Sequence, residues 1–128
     1  MTPANDPVLA VAVRAARTAA SILIDAARDL KRLPTFSKEH GDIVSGADME
    51  AEDAIVATLR AAFPGHAILG EESGHIEGAR DGGGYRWIVD PLDGTREYAR
   101  AGRVDWAVHI ALWEADAHAI TAAALDLP

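Results

Sequence analysis

Tyr85-Arg86-Trp87-Ile88-Val89-Asp90-Pro91-Leu92-Asp93-Gly94-Thr95 is the stretch from which the fold can be read. Tyr85 to Val89 is a short apolar run rich in aromatic and β-branched residues, which predicts a buried strand. Pro91 restricts φ and Gly94 permits a sharp change of direction, so Asp90 to Thr95 reads as a tight turn. Thr95 to Arg100 then opens a short helix. Such a turn aims the Asp90 and Asp93 carboxylates and the Leu92 carbonyl at one volume. Beside it, the free N–H groups of a helix start form an anion cradle.

Working outward, Ala67-Ile68-Leu69 predicts a second short buried strand, and Ser73 to Gly84 a flexible loop containing five glycines. Downstream, Val104, Trp106, Val108, Ile110 and Leu112 alternate with other residues, which predicts a long strand over Val104–Trp113. Ile120 to Leu125 is its expected hairpin partner. Upstream lie two helices. Asp6-Pro7 is an N-cap followed by proline at the first helical position. Val8, Ala12, Ala15, Ala19, Leu23, Ala26 and Leu30 follow at helical spacing, ending before Pro34. Thr35 to Asp42 reads as irregular, and Ser45-Gly46-Ala47-Asp48 as a capping box opening the second helix. Met49, Ile55, Val56, Leu59 and Phe63 make its apolar stripe, and Pro64-Gly65 stops it. Two helices followed by strands predict an α+β fold, not a doubly wound parallel sheet. Its predicted form is a layered α/β sandwich, with two helices on a largely antiparallel sheet.

Composition narrows the function. The chain has 128 residues, 49% of them apolar and 5% aromatic, with a formal charge of −8 from 12 basic and 20 acidic residues. An acidic surface releases no counterions on a nucleic-acid backbone, so no nucleic-acid polymer is expected as a partner. A phosphate ligand would have to be held by local N–H groups or by cations. There are no cysteines, which excludes disulfides, zinc–thiolate sites and Cys nucleophiles and fits a cytoplasmic location. Met1 to Ser21 lacks a basic leader, and Arg14 and Arg17 interrupt its apolar run, so neither a signal peptide nor a membrane span is expected.

Glu71 and Glu72 follow one predicted strand, Asp90 ends another, and Asp93 and Asp48 complete the set. Strand ends in one sheet converge, and crowded carboxylates either share protons or enclose a cation. Oxygen ligands without Cys or His favour magnesium, manganese or calcium. A pair of such cations suits in-line phosphoryl displacement. The bland reading stands beside this one: Asp-Pro-x-Asp-Gly is also an ordinary turn composition, and Glu71-Glu72 a solvated loop.

Three segments carry a resemblance. Trp87-Ile88-Val89-Asp90-Pro91-Leu92-Asp93-Gly94-Thr95 resembles the signature of the inositol monophosphatase superfamily. Leu69-Gly70-Glu71-Glu72-Ser73 resembles its Gly-Glu-Glu motif, and Asp42-Ile43-Val44-Ser45-Gly46-Ala47-Asp48 the segment that ends in its water-activating aspartate. The resemblance implies that residues 1–128 are the N-terminal portion of such a phosphatase domain, binding two or three Mg2+ ions. It implies that Glu71, Asp90 and the Leu92 carbonyl hold one magnesium, and Asp90 with Asp93 a second. Glu72 would orient a water held there, and Asp48 and Thr95 would form a hydrogen-bonded pair that activates it. The N–H groups of Gly94 and Thr95 would bind phosphate.

Arg96-Glu97-Tyr98 is similar to the corresponding run of 3'(2'),5'-bisphosphate nucleotidases of the CysQ type, as is Gly102 to Trp113. The implied substrate is a nucleoside bisphosphate, adenosine 3',5'-bisphosphate or phosphoadenylyl sulfate, which loses its 3'-phosphate. Arg96, beside the phosphate cradle, is placed either to touch a second substrate phosphate or to stand as a solvated helix-face arginine, and Lys38 could close over the site from its loop. An inositol- or histidinol-phosphate phosphatase is the alternative within the class. The superfamily's later Trp-Asp-x-Ala motif has no counterpart after Asp93, so weak or no activity is expected from the chain alone. An inactive metal-binding fragment, homo-oligomeric or not, is the rival of another class. His40, His66, His75, His109 and His118 lack ligand spacing and read as structural.

Overall fold

The computed structural model describes residues 6–78, 84–100, 103 and 105–127. Helix α1 spans Pro7–Leu30. Asp6 caps it, its carboxylate accepting from the N–H groups of Val8 at 2.9 Å and Leu9 at 3.4 Å. Its buried stripe is mostly alanine (Ala12, Ala15, Ala16, Ala19, Ala20), joined by Leu23 and Leu30. Small side chains let the next helix approach closely. By length and composition α1 would also pass as a membrane span, with a mean hydropathy of 1.5. In this fold its alanine stripe is buried against α2, β4 and β5.

The second helix starts earlier than the capping-box reading placed it. α2 runs Lys38–Ala62 and is capped by Ser37, whose hydroxyl oxygen accepts from the His40 N–H at 3.1 Å. The apolar period reaches back through Val44 and the buried His40, and that burial carries the helix through Gly41 and Gly46. Each glycine costs about 1 kcal/mol relative to alanine in a helix, and neither lies where an added Cβ would meet a neighbour. Asp48 therefore sits in mid-helix on the buried face, not at a helix start. Lys38 opens α2 ten residues before Asp48, about 15 Å along the axis at the helical rise, and does not lie on a loop.

The sheet has five strands: β1 (Ala67–Gly70), β2 (Gly74–Ile76), β3 (Tyr85–Asp93), β4 (Ala107–Glu114) and β5 (Ala119–Asp126). Their order is β2-β1-β3-β4-β5. Only β1 and β3 run parallel; the other three pairings are antiparallel. The layered α+β expectation holds in this form, as does the hairpin of Ile120–Leu125. Part of the predicted glycine loop is strand β2. Residues 79–83 of that loop, and Val104 at the start of the predicted long strand, lie outside the described residues.

Alternation sorts each strand's side chains. Ile68, Trp87, Val89, Ile110 and Leu112 point into the core beneath the helices. The opposite row, Leu69, Ile88, Ala111 and Ala123, is aligned by register and lies on the open face. Asp90, His109 and Leu125 form the next row on that face, just beyond the Gly70–Val89 pair at which β1 ends.

Candidate active site

The Asp90–Asp93 segment continues β3 and is not a free tight turn. The register with β4 shifts between Asp90 and Asp93, so the strand bulges there and rejoins its partner at Asp93–Ala107. Proline has no N–H to give the ladder, and a bulge is where a strand accommodates it. Pro91 and Leu92 are buried, which pins the bulge to the core. The Asp90 carboxylate accepts from the Leu92 N–H at 3.3 Å, a local bond that orients it.

Gly94 follows with φ +90, in the left-handed region open to glycine. A Cβ there would stand 3.0 Å from the Asp105 carbonyl oxygen and 3.2 Å from the Trp106 Cα. The short helix α3, Thr95–Tyr98, starts at this point. Its position is locked from below. The Tyr98 hydroxyl donates to the Leu23 carbonyl at 2.6 Å, and its ring meets Trp106 edge-on at 4.8 Å. Burial pushes the Tyr98 hydroxyl up to about 12, so it remains a donor. Arg96 is exposed on α3.

Acids from three segments share one neighbourhood. Asp48 is raised from an ordinary 3.8 to about 6, first by burial, then by Glu72, Glu71, Glu52 and Asp90. Its Oδ1 is buried and has no hydrogen-bond partner among the described residues. Glu71 is also raised, by desolvation first and then by Asp90, Glu72 and Glu52. An orphaned carboxylate oxygen among mutually repelling acids fits a bound cation, because a cation would satisfy the oxygen and offset the repulsion.

Two expected contacts are absent. Thr95 Oγ1 donates to the Leu92 carbonyl at 3.3 Å, so the Asp48–Thr95 pair is not formed. Thr95 is exposed at the start of α3, whereas Asp48 is buried in the interior of α2. Asp93 Oδ2 lies 3.0 Å from Nε2 of His109, the residue that faces Asp90 across the β3–β4 ladder. Among the described residues, no three acid, histidine or cysteine side chains close into a metal cage. Glu71, Glu72, Asp90 and Asp48 are gathered electrostatically, and Asp93 is engaged with His109.

The histidines are mostly spoken for. His66 accepts from Trp87 Nε1 at 3.0 Å, stacks on Phe63, and is lowered by burial, so it stays neutral. His75 pairs with Glu77 at 2.7 Å. Sequence reasoning missed His109 as the partner of Asp93, and it missed Glu52 altogether. Glu52 was detectable: it stands four residues after Asp48 in the core stripe of α2, where an acid is out of place.

The sequence profile of the inositol monophosphatase family matches residues 4–128. The Nus factor SuhB of Pseudomonas aeruginosa is 45% identical over 108 residues, covering 82% of this chain and 38% of that one. The 3'-phosphoadenosine 5'-phosphate phosphatase of Mycobacterium leprae is 54% identical over 67 residues, covering 52% of this chain and 24% of that one. Among solved structures, the extragenic suppressor protein suhB of Bartonella henselae superposes with a TM-score of 0.76 at 35% identity, over 94% of this chain and 43% of that one. The chain therefore spans well under half the length of the relatives it matches.

Proposed function

The chain belongs to the inositol monophosphatase family, and on that premise we propose that it carries the acid and phosphate-facing part of a magnesium-dependent phosphoric monoester hydrolase. The observation that carries this reading is Asp48 Oδ1, buried without a partner amid Glu71, Glu72 and Asp90. Glu71, Asp90 and the Leu92 carbonyl would hold one magnesium, and Asp90 with Asp93 would hold a second. Bound magnesium supplies charge neutralisation and Lewis acidity at the phosphoryl oxygens.

The chain's own groups do the rest. Asp48 would take the proton of the attacking water as general base. Glu72 orients that water, and the N–H groups of Gly94 and Thr95 receive the phosphoryl oxygens. To serve the cation, Asp93 would give up its exposed contact with His109, a kind of contact that costs little to break, and to reach Asp48 the Thr95 hydroxyl would give up the part-buried Leu92 carbonyl.

For the substrate we propose the 3'-phosphate of adenosine 3',5'-bisphosphate or a close nucleoside bisphosphate. Arg96-Glu97-Tyr98 supports this reading, with Arg96 exposed beside the cradle to meet a second phosphate. So does the identity to a relative named for that substrate. The test is phosphate release from adenosine 3',5'-bisphosphate against an inositol phosphate panel, with and without magnesium. Magnesium-dependent release that Asp90→Asn abolishes is expected from a longer protein that carries these residues, with preference for the nucleotide, and weak or no release from the 128 residues alone. Turnover undiminished by chelator would overturn the reading. A second reading, metal binding without turnover, is favoured by the Asp93–His109 contact. It predicts calorimetric magnesium binding with no phosphate release from any ester in the panel.

A further inference from the structure

Glu52 is wholly buried on α2, one turn after Asp48 and flanked in the core stripe by Ala51 and Ile55. No cationic side chain pairs with it among the described residues. Its bonds all come from the turn that leaves β1. The Glu72 N–H donates to Oε1 at 3.1 Å and Oε2 at 3.0 Å, the Ser73 N–H donates to Oε2, and Ser73 Oγ donates to Oε2 at 2.6 Å. A buried carboxylate is costly unless such donors converge on it. A leucine would fill the same stripe without that demand.

The turn it grips is bracketed by glycines. Gly74 has φ +66, and a Cβ on Gly70 would lie 2.9 Å from the Glu52 Cδ and Oε2. Gly70 therefore makes room for the carboxylate, and the two flanking glycines leave the turn little stiffness of its own. Two consecutive N–H groups held by one rigid helix side chain set the backbone from which Glu71 and Glu72 project.

We propose that Glu52 is a positioning residue: its buried carboxylate fixes the Glu71–Ser73 backbone so that the Glu71 and Glu72 side chains are presented to Asp90 and Asp48. The inference rests on the reading of Glu71 and Glu72 as the acids that face magnesium and water. Core groups that orient ligands in this way change metal affinity about 10- to 100-fold when removed.

The test titrates magnesium into the 128-residue chain by calorimetry, with Glu71→Gln as reference. Glu52→Leu is expected to weaken magnesium binding about tenfold or more while far-UV circular dichroism is unchanged. Glu52→Gln keeps a carbonyl acceptor and is expected to recover most of the affinity. Folded Glu52→Leu with unaltered magnesium affinity overturns the inference. If Glu52→Leu does not fold, amide hydrogen exchange of the unaltered chain decides. Glu72 and Ser73 are expected to be protected, and exchange of both at unprotected loop rates overturns the inference. If Glu71→Gln leaves magnesium binding unchanged, the reading of the site fails instead, and the exchange measurement still tells whether Glu52 holds the turn.

Discussion

The two acid-bearing segments at the ends of β1 and β3 are held by opposite means. The Glu71–Ser73 turn has little packing of its own and is gripped through its backbone by Glu52, a side chain from another layer. The Asp90–Gly94 segment is held by its own covalent chemistry and burial: a proline bulge, two core side chains and a left-handed glycine. In the first, the acid side chains have no local partners among the described residues. In the second, Asp93 and Thr95 are engaged with His109 and the Leu92 carbonyl. One arm is set by the core, and under the proposed function the other would exchange contacts to serve the same site.

The comparison can be broken at three points. Gly94→Ala attacks the self-held arm hardest. Its φ of +90 and the Asp105 carbonyl 3.0 Å from the new Cβ together predict a loss of roughly 2–4 kcal/mol of stability, measured by urea unfolding. A loss under about 0.5 kcal/mol, within the range of ordinary surface substitutions, would show that the arm is not held there.

Asp48→Asn probes the meeting point. A carboxyl whose folded value lies above its unfolded value binds more protons when folded, so it costs stability as pH rises from about 4 through about 6. The variant is therefore expected to be more stable than the parent at pH 7 without divalent cation, on the order of 1–2 kcal/mol. The gain should disappear below about pH 4, where both states are protonated. If Asp48→Asn instead lowers stability at pH 7, Asp48 has a partner after all. The smallest effect is expected from His109→Ala, which removes a half-exposed contact to Asp93. Thermal unfolding should change by less than about 1 kcal/mol, while magnesium affinity holds or rises as Asp93 is released. A fall in affinity would place His109 among the groups that the site needs.

Much of the fold was legible because its signals are local. The Asp6 cap, the alanine period of α1, the Pro64-Gly65 stop and the alternation in β4 are each set within a few residues. The start of α2 was misread because Thr35 to Asp42 is polar and Ser45 to Asp48 has the composition of a capping box, yet burial of His40 and Val44 carries the helix through both. The turn at Asp90 was misread because pairing with β4 extends the strand past a proline. Likewise the acids could be named from their motifs, but their engagement could not. Asp48 with Thr95 looked like a pair, and each instead follows its own element.

The order of residues by itself determined the two helices, the strand-rich second half and the acids that gather at one end of it, since caps, periods and turn residues act over a few positions of chain. Tertiary structure alone decided that Glu52 reaches Glu72 across 20 residues and Tyr98 reaches Leu23 across 75. It alone decided that β1 lies parallel beside β3 and that Asp93 faces His109. Those contacts join positions whose separation in sequence carries no local signal.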